Sequence, residues 1–152
     1  MTQPTQPINV TAPASAYGVT LWTGVNQFGR LDVDPSGLTV TGLLLVAQRL
    51  VLRQTTPLDS CADAPNDCFD LRDWLSCGMT DTQVAQLPGL VQNELQKDVA
   101  VQSASVSLVF TPSTATLILT ENVQTAQGPF SLVLTVTPSQ VSFLVNQITG
   151  GA

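Results

Sequence analysis

The side chains of this chain that could carry acid–base chemistry are its carboxylates, because the sequence contains no histidine. A glycoside hydrolase of the usual kind needs two carboxyl groups about 5–9 Å apart, one of them with a raised pKa. Glu94 falls in a segment with helical spacing and Glu121 at the end of a predicted strand, so we expect both at solvated or interface positions. The aspartates concentrate in loops and at helix starts, where capping explains them.

The sequence lacks the patterns that are typical of nucleophilic catalysis and of phosphate binding. Serine is frequent, but no histidine is present to activate it and no Gly-x-Ser-x-Gly elbow occurs. Lys97 is a lone lysine, and the sequence has no Gly-rich loop of the kind that surrounds a phosphate. We therefore predict that the chain is not an enzyme, needs no cofactor and takes no small-molecule substrate.

Cys61, Cys68 and Cys77 lie in the middle of the chain. No basic segment followed by an apolar stretch opens the sequence, so we expect no signal peptide and a reducing compartment, where free thiols are usual. Cys61 and Cys68 bracket a short polar loop and would close a small disulfide if the protein were oxidised later. The sequence leaves open whether these two cysteines are free thiols or form a disulfide. A bound metal is not expected, because only carboxylates could complete a zinc site.

Charged residues are scarce and unevenly placed. They make up 11% of the 152 residues, against about 25% in typical soluble domains. Residues 1–29 carry none, and residues 99–152 carry only Glu121. With five basic and eleven acidic side chains and no basic cluster, nucleic acid is not expected as a partner. The longest apolar run, Leu43–Ala47, is far shorter than the ~20 residues that cross a membrane, so no membrane is expected either.

Helical spacing is confined to the middle of the chain. Thr41 is positioned as the N-cap of a helix over residues 42–54, with Arg49 and Arg53 near its C-terminal end. The apolar stripe of this helix is Leu43, Val46, Ala47, Leu50 and Val51. Further helical segments are predicted at residues 69–75, from Thr80 or Asp81 to Leu87, and, restarted by Pro88, at residues 89–98.

Strand-like alternation follows Asp98. Short apolar runs between Pro, Ser and Gly turns predict an antiparallel meander with strands at 106–110, 117–120, 130–136 and 141–145. Earlier, an Asp-Pro-Ser-Gly turn predicts a hairpin over residues 31–40. We expect two parts: an extended N-terminal arm (1–29) and a single domain (30–152), with helices in 41–98 and the β-meander in 101–145. The fold class is therefore α+β, with central helices packed on a C-terminal antiparallel β-meander.

Several of these features occur in a recognisable order. An acidic strand and turn (32–37) precede a Gly-led helix (42–52), a Thr-Pro stop (53–57), Phe-Asp-Leu-Arg (69–72) and, after a later helix, Asp-Val-Ala-Val (98–101). This series over residues 30–145 resembles the gene-25-like baseplate wedge family of contractile phage tails, which includes the wedge component of type VI secretion baseplates. The family's Arg-Gly after Thr-Pro is Leu58-Asp59 here, and its Glu-Pro-Arg element is Asp98-Val99-Ala100, which lacks the arginine.

The resemblance implies a structural protein of the virion, located in the tail baseplate and assembled in the host cytoplasm. It implies three kinds of partner: the tail sheath protein, the other baseplate wedge proteins, and the tube or hub. For Asp70 and Arg72, the alternative is a capped helical turn with Trp74 in the core. The residues expected at protein interfaces are Asp70, Leu71, Arg72, Asp98, Phe130, Leu132, Val141, Phe143 and Val145.

The C-terminal strands favour a role in assembly. Monomeric sheets normally carry charge on their exposed faces and edges, since unpaired edges otherwise recruit other strands. Thr and Ser are common on sheet faces, but this preference does not explain the near absence of Lys and Arg after residue 98. We expect an edge of this sheet to be covered by a strand of another chain, which in the wedge family would initiate sheath assembly.

Two alternatives belong to other classes. The chain could be another small tail component, such as a tail-completion or tube-associated protein. It could also be a carbohydrate-binding module in which Tyr17, Trp22 and Trp74 stack on sugars, although aromatic residues are only 5% of the sequence.

Overall fold

The computed structural model describes residues 17–25, 31–33, 37–58, 60 and 69–147. Helices and a large antiparallel sheet occupy separate parts of the chain, so the predicted α+β class is confirmed. Cys61 and Cys68, and with them the predicted disulfide, lie outside the described residues. In chain order the elements are β1 (Val19–Leu21), β2 (Thr23–Val25), β3 (Leu31–Val33), β4 (Thr39–Thr41), α1 (Gly42–Thr55), α2 (Leu71–Ser76), α3 (Asp81–Gln96), β5 (Ser103–Thr111), β6 (Thr116–Thr125), β7 (Gly128–Val136) and β8 (Val141–Gln147).

Helix α1 forms where the apolar stripe predicted it. All residues of the stripe are buried except Leu43, which packs half-buried on the same core. The helix ends at Thr55, since the residue before Pro57 avoids the helical region. Thr41 occupies the N-cap position, but its side chain makes no capping hydrogen bond. Packing of the apolar stripe, and not the cap, therefore stabilises this helix.

Helix α3 is continuous, whereas the sequence predicted two segments divided at Pro88. A proline removes one backbone hydrogen bond from a helix interior, but packing on the core continues on both sides of it. A capping box fixes the start: the Gln83 backbone donates to Thr80 Oγ1 at 3.3 Å, and the Thr80 backbone donates to Gln83 Oε1 at 2.9 Å. The buried stripe that runs past the proline is Leu87, Val91 and Leu95.

The first four strands form two nested antiparallel pairs, so the predicted hairpin over residues 31–40 is wrong. Strand β1 pairs with β4, and β2 and β3, which lie between them in the sequence, pair with each other in a separate sheet. The backbone of Trp22 donates to the carbonyl of Leu38 at 2.7 Å and links the two pairs. Of the arm expected over residues 1–29, residues 17–25 contain strands β1 and β2, and the rest lies outside the described residues.

The side chain of Gln48 attaches these N-terminal strands to α1. Its Oε1 accepts a hydrogen bond from the Thr23 backbone at 3.0 Å, and its Nε2 donates to the Leu21 carbonyl at 2.8 Å. Gln48 is buried in spite of its polarity. A second attachment is the edge-to-face contact of Trp22 with Phe143 on β8, with ring centroids 5.9 Å apart.

The C-terminal strands form a four-stranded meander in the order β5-β6-β7-β8. Each strand is longer than predicted, because the flanking residues continue the ladder; they are mostly polar, and in β7 they are Gly128 and Pro129. One face of the sheet, called the inner face here, packs against the helices and contributes most of the core. Helix α1 lies against β7 and β8, and α3 lies against β5. The inner-face side chains of the two central strands are Leu117, Leu119, Glu121, Val123, Thr125, Phe130, Leu132, Leu134 and Val136, all buried.

Candidate interaction surface

The opposite face of the meander, called the outer face here, carries no charged side chain. Its positions alternate with those of the inner face, and most are Ser, Thr, Asn or Gln. Its members are Ser103, Ser105, Ser107, Val109, Thr111, Thr116, Ile118, Thr120, Asn122, Gln124, Pro129, Ser131, Val133, Thr135, Ser142, Leu144 and Asn146. The polar uncharged residues of this face are predictable from the sequence, whereas the apolar ones among them were not predicted.

Apolar residues of the outer face lie beside one another. Val109 on β5 is directly opposite Ile118 on β6, and Val133 on β7 is directly opposite Leu144 on β8. Val109 is 64% exposed, Ile118 39% and Leu144 41%. Side chains opposite each other in an antiparallel pair have Cβ atoms about 4.5–5.5 Å apart, so each pair forms a small apolar contact on a polar surface. A partner could cover this face without removing the water shell of any charge.

Both outer strands of the meander have an unpaired edge within the described part of the chain. No described strand pairs with the free side of β5 or of β8. Strand β5 is nine residues long and β8 seven, and neither contains Lys, Glu or Pro, which natural edge strands use against unwanted pairing. The chain therefore presents two edges that could take up an extended segment.

The predicted interface residues of the meander lie on the inner face. Phe130, Leu132, Val141 and Val145 are buried, and Phe143 is half-buried against Trp22. Leu71 on α2 is buried in the same core. The side chains of these residues pack within this chain, so a partner would meet the outer face or the strand edges instead.

Asp70 and Arg72 form a bidentate ion pair that joins α2 to the end of α1. Arg72 Nε donates to Asp70 Oδ1 at 2.9 Å and Arg72 Nη2 to Asp70 Oδ2 at 2.6 Å. Arg72 Nη2 also donates to the Thr55 carbonyl at 2.8 Å. The hydrogen bond to Asp70 raises the pKa of Arg72. Asp70 caps α2 as well, since its Oδ1 accepts from the Arg72 backbone at 3.0 Å.

Asp98 belongs to a network of ion pairs between α1 and the end of α3. Arg49 binds both carboxylate oxygens of Asp98, with Nε 3.0 Å from Oδ2. Arg53 Nη1 donates to Glu94 Oε1 at 3.1 Å, and Lys97 Nζ lies 2.8 Å from Glu94 Oε2. Both acidic side chains are 5% exposed as residues, so Glu94 is not at the solvated or interface position expected for it. In the sequence, Arg49 and Arg53 are four residues apart, and so are Glu94 and Asp98. These equal spacings place each pair on one helix face and could have predicted that the arginines pair with the acids.

Glu121 is also not at a strand end or in solvent. It lies within β6 on the inner face, fully buried, opposite Val106 on β5 and Leu132 on β7. Gln54 on α1 donates from Nε2 to Glu121 Oε2 at 3.1 Å. Burial raises the pKa of Glu121 to about 8, although the Gln54 hydrogen bond acts to lower it. The alternation of β6 could have placed Glu121 on the apolar face, because it lies two residues from Leu119 and from Val123.

The residues that the structure describes contain no group of three Cys, Asp or Glu side chains that could hold a metal ion. In the same ranges, no helix has the length and apolar character needed to cross a bilayer. Cys77, just after α2, is an exposed free thiol.

Comparison with known proteins adds no assignment: neither a protein-family model nor a curated protein matches this chain.

Proposed function

We propose that this chain is a structural baseplate wedge protein of a contractile phage tail, which anchors the wedge and initiates sheath assembly by β-strand addition. The observation that carries the proposal is the meander itself, with an uncharged outer face and two edges that no strand among the described residues covers. The ordered series of sequence features over residues 30–145 supports the choice of family. The proposed partners are the tail sheath protein, the other wedge proteins and the tube or hub.

Strand addition uses the backbone of an edge strand. The free N–H and C=O groups of β5 or β8 pair with those of an incoming segment, which gives affinity independent of side-chain charge. The exposed side chains near these edges are small, polar or aliphatic, such as Ser107, Val109, Leu144 and Asn146. An incoming strand would leave no ionised group buried, so its hydrogen bonds are not offset by a desolvation cost of charge.

The helices would hold the sheet as a rigid platform. Asp70 and Arg72 join α2 to α1, and Asp98 joins the end of α3 to α1, so all three helices are tied together behind the inner face. Contacts with the other wedge proteins would then fall on the turn after α3, where the family has its Glu-Pro-Arg element. Val99, which replaces the proline of that element, is 97% exposed in this turn.

Lysine substitutions at the strand edges test the proposal. Ser107→Lys on β5 and Leu144→Lys on β8 each place a charge on an exposed position of an edge strand, where it opposes strand pairing. With each variant introduced into the phage that encodes this chain, we expect one of them to yield baseplates that lack sheath when seen by electron microscopy.

The control for these variants is Gln86→Lys, which adds the same charge to an exposed position of α3. It should leave sheath assembly as in the parent phage. If both edge variants assemble normal sheath, strand addition is wrong. If the chain is absent from purified baseplates, the wedge assignment is wrong as well.

The aromatic residues do not favour a carbohydrate-binding function. Trp22 packs edge-to-face on Phe143, while Tyr17 and Trp74 pack half-buried against the core. All three rings are therefore partly covered by this chain, whereas sugar binding uses exposed aromatic faces.

A further inference from the structure

The buried contact between β6 and α1 is made by two polar side chains in apolar surroundings. Glu121 and Gln54 are both fully buried. Across the sheet, Glu121 is flanked by Val106 and Leu132, and the next position in the same row is Val145 on β8. None of these three neighbours is titratable. A carboxylate in such a position would lack the counter-charge that buried ions normally require.

Most of the charged groups on the helices are paired with one another. Burial and the Gln54 hydrogen bond account for the pKa shift of Glu121, and no described charge contributes to it. The charged residues on or next to the packed helices are Arg49 and Arg53 on α1, Asp70, Arg72 and Asp73 on or beside α2, and Asp81, Glu94, Lys97 and Asp98 on or after α3. Their ion pairs join Arg49 to Asp98, Arg53 to Glu94 and Asp98, Arg72 to Asp70, and Lys97 to Glu94.

The hydrogen bonds of the pair leave two oxygens without partners. Gln54 Nε2 donates both to the Leu50 carbonyl at 3.2 Å and to Glu121 Oε2 at 3.1 Å. Gln54 Oε1 and Glu121 Oε1 are buried and accept nothing. An amide oxygen and a carboxylate oxygen are both acceptors, so the ionised form of Glu121 cannot satisfy either atom. One proton on Glu121 Oε1 supplies the missing donor.

We propose that Glu121 is held as the neutral carboxylic acid, joined to the amide of Gln54 by two reciprocal hydrogen bonds, and that this pair is a pH-sensitive lock between the sheet and α1. In the locked state Gln54 Nε2 donates to Glu121 Oε2, and the protonated Glu121 Oε1 donates to Gln54 Oε1. With the Leu50 carbonyl accepting the second amide hydrogen, both unpartnered oxygens are satisfied. Loss of the proton breaks one bond of the ring and leaves a charge in the core. The lock does not depend on the proposed wedge function.

The sign of the pH dependence follows from the proton balance. Unfolded Glu121 ionises near its ordinary pKa of 4.5, whereas in the folded chain burial raises its pKa to about 8. Between these values the folded state binds one more proton than the unfolded state, so stability falls as pH rises. Within that window we expect the folding equilibrium constant to drop by about tenfold per pH unit relative to a chain without the titrating group.

The test compares the parent chain with Glu121→Gln, in which two amides can pair in the same way without titrating. Urea unfolding at pH values from about 5 to 8 should show a steeper loss of stability in the parent than in E121Q. Asp81→Asn, which removes an exposed carboxylate at the start of α3, should keep the parental slope. Equal slopes in the parent and E121Q would overturn the proposal.

A second measurement remains decisive if E121Q does not fold. The sequence contains two glutamates, so carbon-13 labelling of glutamate gives two side-chain carboxyl signals in NMR spectra of the parent chain. At pH about 6, one of them should have the shift of a protonated carboxyl and should move as pH rises through about 8. Two carboxylate signals at pH about 6 would show that Glu121 is ionised, and the lock would be refuted.

Discussion

Asp98 shows at the residue scale how buried charge is tolerated in this chain. Its carboxylate is 5% exposed, yet Arg49 binds both oxygens and the Ala100 backbone donates to Oδ1 at 2.9 Å. Ionised groups of this kind are stable only while every partner is present, because removal of one leaves another charge uncompensated. Asp98 therefore acts as a connector between α1 and the turn that leads into β5.

The substitution Asp98→Asn tests this role. It keeps the shape of the side chain but leaves Arg49 and Arg53 without their shared counter-charge. We expect a loss of about 2–3 kcal/mol in the free energy of unfolding, below the fully buried range, because the Arg49 side chain is 33% exposed. Urea denaturation measures this change.

Lys97→Ala is the matched control for the network. Lys97 is paired with Glu94, but its side chain is 41% exposed, so water competes for its charge and the loss should stay under about 1 kcal/mol. Equal losses for the two variants would contradict a special role for Asp98.

At the scale of elements, α3 shows that packing can override a local breaking signal. Pro88 lies inside the helix and cannot donate to the Val84 carbonyl. The capping box at Thr80 and the buried stripe on both sides stabilise the helix in spite of this defect. The missing hydrogen bond lowers the free energy of unfolding, so replacement of the proline should raise it.

Pro88→Ala should therefore stabilise the chain. The alanine restores one backbone hydrogen bond, and we expect the free energy of unfolding to rise by about 1–3 kcal/mol in urea titrations. Gly89→Ala is a matched variant, since a Cβ at this position meets no atom within 4 Å, and should add about 0.5–1 kcal/mol. A destabilised Pro88→Ala would mean that the proline itself makes an essential contact.

At the scale of the whole molecule, single polar side chains link the parts of the chain in addition to the shared apolar core. Gln48 links α1 to the N-terminal strands, and Gln54 links the same helix to the centre of the meander. Arg49 and Arg53 link it to the end of α3. Helix α1 thus carries contacts to every layer of the described structure, alternating with its apolar stripe.

Gln48→Ala should loosen the N-terminal strands selectively. It leaves the Thr23 N–H and the Leu21 carbonyl without their partner, at a cost of about 1–3 kcal/mol. Hydrogen exchange should accelerate at Thr23 more than in the meander. Gln86→Ala, at an exposed position of α3, should change neither the free energy of unfolding nor the exchange rate at Thr23. Uniform acceleration of exchange throughout the chain would contradict a local attachment.

Local pattern was enough to predict a large part of the fold. The stripe of α1, the four alternating segments of the meander and the uncharged character of its outer positions depend on spacings of two, three or four residues, which fix the face of each side chain. The α+β class follows from their order along the chain. In the meander, the same alternation shows that consecutive residues of a strand point to opposite faces of the sheet. They therefore cannot all belong to the outer face.

Tertiary structure decided which of these pieces meet. β3 pairs with β2, and β4 pairs with β1. Strands of three residues carry too little apolar pattern to specify their partner, so the sequence alone does not predict this pairing. In the sequence, Glu121 is a polar residue that predicts the end of a strand. In the fold it is buried, because α1 lies over the sheet and places Gln54 next to it. The sequence by itself determines periodicity and charge distribution, since these are local. The partner and protonation of a lone acid depend on the dielectric and the neighbours that only the packed fold supplies.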